Sequence, residues 1–110
     1  MANDPSVVRY LAATIAATAD TIPALADGGA VTVTGAMHSF VGVVESADVR
    51  ARGDATAPTA TEGELIPQNS KIYLSESELQ LMKFIRTGGV SATIKGHIYN
   101  VRLAELLGIL

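Results

Sequence analysis

The sequence predicts a mainly β protein: an antiparallel β-sandwich or small barrel, with a short N-terminal segment of helical spacing and a short apolar C-terminal helix or tail. Three observations carry that reading. Apolar runs are short and rich in Val, Ile and Thr; several alternate with period two; and Gly- or Pro-containing turns separate them. A chain of 110 residues is one domain at ordinary domain sizes. It divides into an N-terminal arm (1–29), a sandwich body (30–100) and an apolar tail (101–110), without an internal repeat or a linker.

Along the chain, Val7, Val8, Leu11 and Ile15 fall at helical spacing behind Pro5 and Ser6, and the expected element is a helix over about 6–13, although Thr14, Ile15 and Thr18 also suit a strand. Asp27, Gly28 and Gly29 form a turn. From there the period becomes two: Val31 to Thr34 alternates apolar and hydroxyl side chains, as a half-buried strand does. Phe40 to Val44 and Val49 to Arg52 read as one long strand or as two with a bend near Ser46. Residues 53–64 hold turn formers and almost nothing to bury, so they are a loop. Lys71 to Leu74 is a short strand, and Ser75 with Glu78 has the spacing of a capping box ahead of Leu79, which predicts one helical turn. Lys83 to Arg86 is another strand, Gly88 and Gly89 suit a hairpin turn, and Val90 to Tyr99 alternates with Val90, Ala92, Ile94 and Ile98 on one face.

Composition bounds the function. The chain has 17 Ala and only 5% aromatic residues, so each buried side chain contributes little transfer free energy and the core is thin. With 0 Cys, disulfides, thiolate metal sites and a cysteine nucleophile are excluded, and a small unstapled domain commonly gains stability by oligomerising. The net charge is -3 and the 8 basic residues are scattered singly, which argues against nucleic acid. The first residues have no basic-then-apolar signal pattern, and the uncharged stretch from Gly28 to Val44 is shorter than the ~20 apolar residues of a spanning helix. The expectation is a protein made in the cytoplasm and not inserted in a membrane.

The search for chemistry is nearly empty. Serine-hydrolase elbows, phosphate loops, paired-histidine zinc motifs and calcium loops are all absent. His38 and His97 read as partly exposed strand histidines, Glu62 and Glu64 as solvated loop charges, and Arg52-Gly53-Asp54 as a turn that happens to spell an adhesion tripeptide. No cofactor and no metal are expected. The notable cluster is terminal: Leu103, Leu106, Leu107, Ile109 and Leu110 are five large aliphatic residues in the last eight positions, gathered on one face if helical. They either fold back onto the domain's own core or dock on a neighbour.

The stretch from Val49 to Gly63, with its Arg, its Gly-Asp turn and Thr56-Ala57-Pro58-Thr59, precedes Ile72 and Leu74, then Phe84-Ile85-Arg86, then an alternating strand ending at Tyr99. That order resembles small structural proteins of tailed-bacteriophage virions, over roughly residues 30–100. Ala51, where the pattern often has an aromatic residue, and the Leu-rich extension after Val101 depart from it. The resemblance implies a non-enzymatic β-sandwich carried on a phage particle. Its role would be head decoration or cement, binding the major capsid protein as a homo-oligomer, with a trimer expected; a tail, collar, head-fibre base or adaptor component is the alternative. A carbohydrate-binding or adhesion module on the same fold is a further rival. On the phage reading Leu103, Leu106, Leu107, Ile109 and Leu110 are anchors, and Arg50, Arg52, Asp54 and Arg86 form a second contact, with Arg50 and Arg86 fixing the loop base to Asp54 or Glu62.

Overall fold

The computed structural model describes residues 7–35, 37–54 and 56–108. Eight strands and two short helices follow in the order β1 (Val7–Ile15), β2 (Asp20–Thr21), β3 (Ser39–Glu45), β4 (Val49–Arg52), β5 (Glu64–Ile66), β6 (Lys71–Ser75), α1 (Glu76–Leu81), β7 (Lys83–Arg86), β8 (Ala92–Tyr99) and α2 (Leu103–Leu106). They form two four-stranded antiparallel sheets. Sheet A has the order β1-β8-β3-β6, and sheet B the order β2-β7-β4-β5. One face of each sheet turns inward onto a shared core that includes Phe40 and Ile94 from sheet A and Phe84 and Val49 from sheet B, all at 0% exposure. The mainly β, antiparallel sandwich expectation therefore holds.

The N-terminal helix does not form. Leu11, Ala13 and Ile15 alternate into the core, and Val7–Ile15 is the edge strand of sheet A, in register with β8. Period-two burial wins because a partner strand is present, and the β-branched Val7, Val8, Thr14 and Ile15 suit it. Residues 7–15 are thus part of the sandwich and not an arm; residue 6 lies outside the described residues. Residues 31–34 also differ from expectation: they alternate in burial but join no ladder. Val31 N–H donates to Pro23 O at 2.8 Å, and Val31 and Val33 pack half-buried against the core.

The bend at Ser46 is real, with φ 76°, and it carries the chain from sheet A into sheet B, so Phe40–Val44 and Val49–Arg52 are two strands in different layers. Gly88 and Gly89 do not close a hairpin. Both edges of β8 are taken by β1 and β3, so β7 cannot pair with it and the turn crosses between sheets. Val90 lies before β8 and is exposed. Two strands, β2 and β5, appear where none was expected. The capping box is present as read: Glu78 N–H donates to Ser75 Oγ, Ser75 N–H donates to Glu78 Oε1, and Leu79 is buried.

Two glycines set the packing of sheet A. Gly42 and Gly96 lie opposite one another in β3 and β8, both facing inward, and the Phe40 ring covers them. A Cβ on Gly96 would stand 2.2 Å from Val41 O, and one on Gly42 would stand 2.7 Å from Phe40 Cε2. The absent side chains let the largest core ring lie against the sheet backbone.

Candidate functional site

Period two also decides what faces solvent. On the outer side of sheet A the register places Tyr10, His97, Val41 and Tyr73 in one row across all four strands. Val7 and Tyr99 pair at the next outward position, and Ala12, Lys95, Val43 and Lys71 form the row on the other side. Val7, Val8, Tyr10 and Tyr73 are exposed, at 53, 39, 54 and 39%. The rings support one another: His97 meets Tyr10 edge-on at 5.3 Å between centroids and Tyr99 at 6.5 Å. Lys95 Nζ stands 3.4 Å from Glu45 Oε1, so Lys71, Lys95 and Glu45 give this face a charged margin.

The C-terminal segment covers one end of that face. Ser39 points outward yet has 0% exposure, because its hydroxyl donates to Val101 O at 2.8 Å and Val101 is itself buried. From there α2 packs beside β3 and β6. Leu103 and Leu106 are half-buried, Leu107 is 48% exposed, and Ile109 and Leu110 lie outside the described residues. The anchors expected at the terminus are therefore divided, with Leu103 and Leu106 partly spent on the chain's own surface. A groove of about 640 Å³ runs between α2 and the start of α1. In it His38 Nδ1 lies 3.0 Å from Glu76 Oε1, with both side chains a third or more exposed.

The two histidines do not meet. His38 pairs with Glu76, while His97 sits among tyrosines on the outer face. Among the described residues no group of three or more His, Asp or Glu side chains is placed to hold a metal ion. Glu62 is exposed in the loop, whereas Glu64, also exposed, opens β5 opposite Ala51 and so lies outside the loop expected to hold it.

The arginines act differently from expectation. Arg50 does hold the loop, but through carbonyls: Nε donates to Ala60 O at 3.1 Å and an Nη to Gly63 O at 2.9 Å. Arg52 is the residue that takes Asp54, with donors 3.0 and 2.6 Å from its two oxygens. A guanidinium fork matches a carboxylate in this bidentate way, and the Arg52 hydrogen bond holds the Asp54 carboxyl below its ordinary value. The two charges of the Arg-Gly-Asp tripeptide thus pair with each other at the surface. Arg86 lies in β7 opposite Val49 and supports the sandwich end through its backbone N–H, 3.1 Å from Ala16 O, while Arg50 and Arg52 make the loop contacts. Within the loop, the Thr59 hydroxyl accepts from the N–H of Thr61 and of Glu62, and Gly63 takes φ 126° against Ala51 O.

Sequence reading missed the outer-face row. Each of its residues looked like an ordinary strand position, and only the β1-β8-β3-β6 order brings Tyr10 to His97 and both into line with Tyr73. No family model matches the chain, and no curated protein or solved structure is found to be similar to it.

Proposed function

We propose that this chain is a non-enzymatic structural protein of a tailed-bacteriophage particle, a capsid decoration or cement protein that binds the major capsid protein in many copies. The observation that carries the reading is the exposed apolar row on sheet A, flanked by Lys71 and Lys95. It is a broad, shallow surface without an assembled acid, base or nucleophile, suited to burying area against another protein. Stable interfaces bury about 800 Å² per partner, and at about 25 cal/mol per Å² of apolar area the rings and valines are the residues with most to contribute. Half-exposed Leu107 at the end of α2 continues the contact, and the loop that Arg50 and Arg52 hold at the far layer is a second one.

Quantitative mass spectrometry of purified virions tests this. Decoration requires hundreds of copies per particle; a dozen or fewer would move the chain to the tail, collar or adaptor, and absence from particles would overturn both. A second reading has one observation in its favour: Tyr10, Tyr73 and Tyr99 share one sheet face, as aromatic rings on a sugar-binding surface do. Binding of the isolated protein on a glycan array would favour that reading over the particle.

A further inference from the structure

β6 is an edge strand of sheet A and pairs with β3 on one side only. Val44 N–H donates to Ser70 O at 3.0 Å, and in that register Ile72 and Leu74 also turn their backbone groups toward β3. The N–H and C=O of Lys71 and Tyr73 therefore point the other way, as does the Ser75 N–H that Glu78 Oε1 caps. Among the described residues nothing takes the four groups on Lys71 and Tyr73. Beside them a groove of about 420 Å³ runs between β6 and β5, with half-buried Ile66 and Met82 and the 48% exposed Leu65 along it.

We propose that this edge is an interaction surface for a second copy of the chain, the two β6 strands pairing antiparallel about a two-fold axis at Ile72. Lys71 of each copy then stands opposite Tyr73 of the other, and the open N–H and C=O groups satisfy one another in four backbone hydrogen bonds. The edge is thus self-complementary, as an isologous contact requires. Charge and the Glu78 cap select this register. Lys71 and Tyr73 are both exposed on the outer face, and Lys71 belongs to no ion pair among the described residues. Its ammonium is free to lie over the Tyr73 ring of the other copy, whose face attracts a cation. An axis at Lys71 would instead set the two ammoniums against each other. An axis at Tyr73 would bring the Lys71 carbonyl of one copy to the place where Glu78 Oε1 of the other already holds the Ser75 N–H. The ladder stops at both ends: β6 passes into α1 after Ser75, and Asp48 Oδ1 ties the preceding turn to the β3–β4 bend through Gln68 N–H at 2.8 Å.

Below the ladder the two grooves face each other, so Ile66, Met82 and Leu65 add apolar area to a short contact. Sheet A then runs through eight strands, and the outer-face row of one copy continues into that of the other. The contact stays at the low end of interface sizes. Self-association is therefore weak in dilute solution and grows where copies are held side by side. This inference does not depend on the particle reading, and its test uses the free protein.

With 0 Cys in the chain, an introduced cysteine reports without background. In the proposed pair, residue 71 of one copy and residue 73 of the other have Cα atoms about 5.5 Å apart, inside the disulfide range, whereas two like residues stand about 9 Å apart, outside it. Lys71→Cys and Tyr73→Cys are both exposed, so each single variant keeps the core intact. In a glutathione redox buffer, an equimolar mixture of the two should give the mixed disulfide dimer at least about tenfold faster than either homodimer, against the roughly twofold excess of random collision. Mass spectrometry separates the three products. A mixed dimer at only the random excess would overturn the proposal. So would faster homodimers of Lys71→Cys or of Tyr73→Cys, which would move the axis to those residues. Trapping of Lys71→Cys by Tyr10→Cys as fast as by Tyr73→Cys would assign the edge to β1 and overturn it as well.

Discussion

Replacing Gly96 by alanine probes how sheet A is packed. The new Cβ would stand 2.2 Å from Val41 O and 2.6 Å from Gly42 Cα, with Phe40 Cζ at 2.8 Å. The two nearest atoms are backbone, so no rotamer change relieves them and β3 must move away from β8 locally. Overpacking costs about 1–3 kcal/mol, and this contact belongs at the upper end, while the lost freedom of glycine in the unfolded chain returns about 0.4–1 kcal/mol. The net loss is about 2 kcal/mol. With an unfolding entropy of about 2.1 cal/mol/K per residue, the thermal midpoint of a chain of 110 residues falls by about 9 °C. Gly42→Ala is a different case, because its nearest atom is the Phe40 ring, with Lys95 O at 2.8 Å. In a double-mutant cycle Phe40→Leu should therefore recover part of the Gly42→Ala loss and little of the Gly96→Ala loss. Gly88→Ala is the control: a Cβ there meets nothing within 4 Å, and the change should stay within about 0.5 kcal/mol. Thermal and urea unfolding followed by circular dichroism measure the single and double variants alike. Gly96→Ala as stable as the parent, or rescued by Phe40→Leu as fully as Gly42→Ala, would refute the packing argument.

Arg50→Lys keeps the charge but loses the planar fork that reaches Ala60 O and Gly63 O. About 1 kcal/mol of loop stability should go with it, and native-state proteolysis within residues 53–63 should quicken about fivefold; an unchanged cleavage rate would show that the turn around Thr59 holds the loop unaided. For Asp54 the folded carboxyl is held below its ordinary value of 3.8 by the Arg52 hydrogen bond. The unfolded chain thus takes up the proton first as pH falls. The contribution is whole above the ordinary value and is lost as pH drops through the lower folded one. Asp54→Asn should flatten the acid side of the stability-pH curve in that window and leave its shape above pH about 5 unchanged; an equally steep acid limb in the variant would remove Asp54 as its source.

Much of the site escaped the sequence for the same reason that the topology did. Lys83–Arg86 and Ala92–Tyr99 were legible as strands, and Ser75 with Glu78 as a cap, because each depends on residues a few positions apart. The hairpin expected at Gly88 and Gly89 was not formed, since nothing local reveals that both edges of β8 are taken. Likewise the helical spacing of Val7, Val8, Leu11 and Ile15 was genuine, but it competed with a strand whose partner lies at the other end of the chain. Of the terminal leucines, Leu103 and Leu106 are half-covered while Leu107 remains exposed, a division that only tertiary packing sets. Arg50 was rightly tied to the loop, yet its acceptors are carbonyls, which a search for opposite charges does not consider.

The sequence by itself determined the class of protein: a cysteine-free, small-residue β domain with turns at defined places, one capped helical turn, and no recognisable catalytic motif. Alternation, capping and turn chemistry are local, so they can be read locally. Tertiary structure alone decided which strands are neighbours. Among the described sheets only β4 and β5 are consecutive in sequence and adjacent in space. All other pairings join distant segments, and the loop-closure entropy they cost is repaid only when Phe40, Phe84 and the rest of the core close together. That cooperative step lines up Tyr10, His97, Val41 and Tyr73 on the outer face.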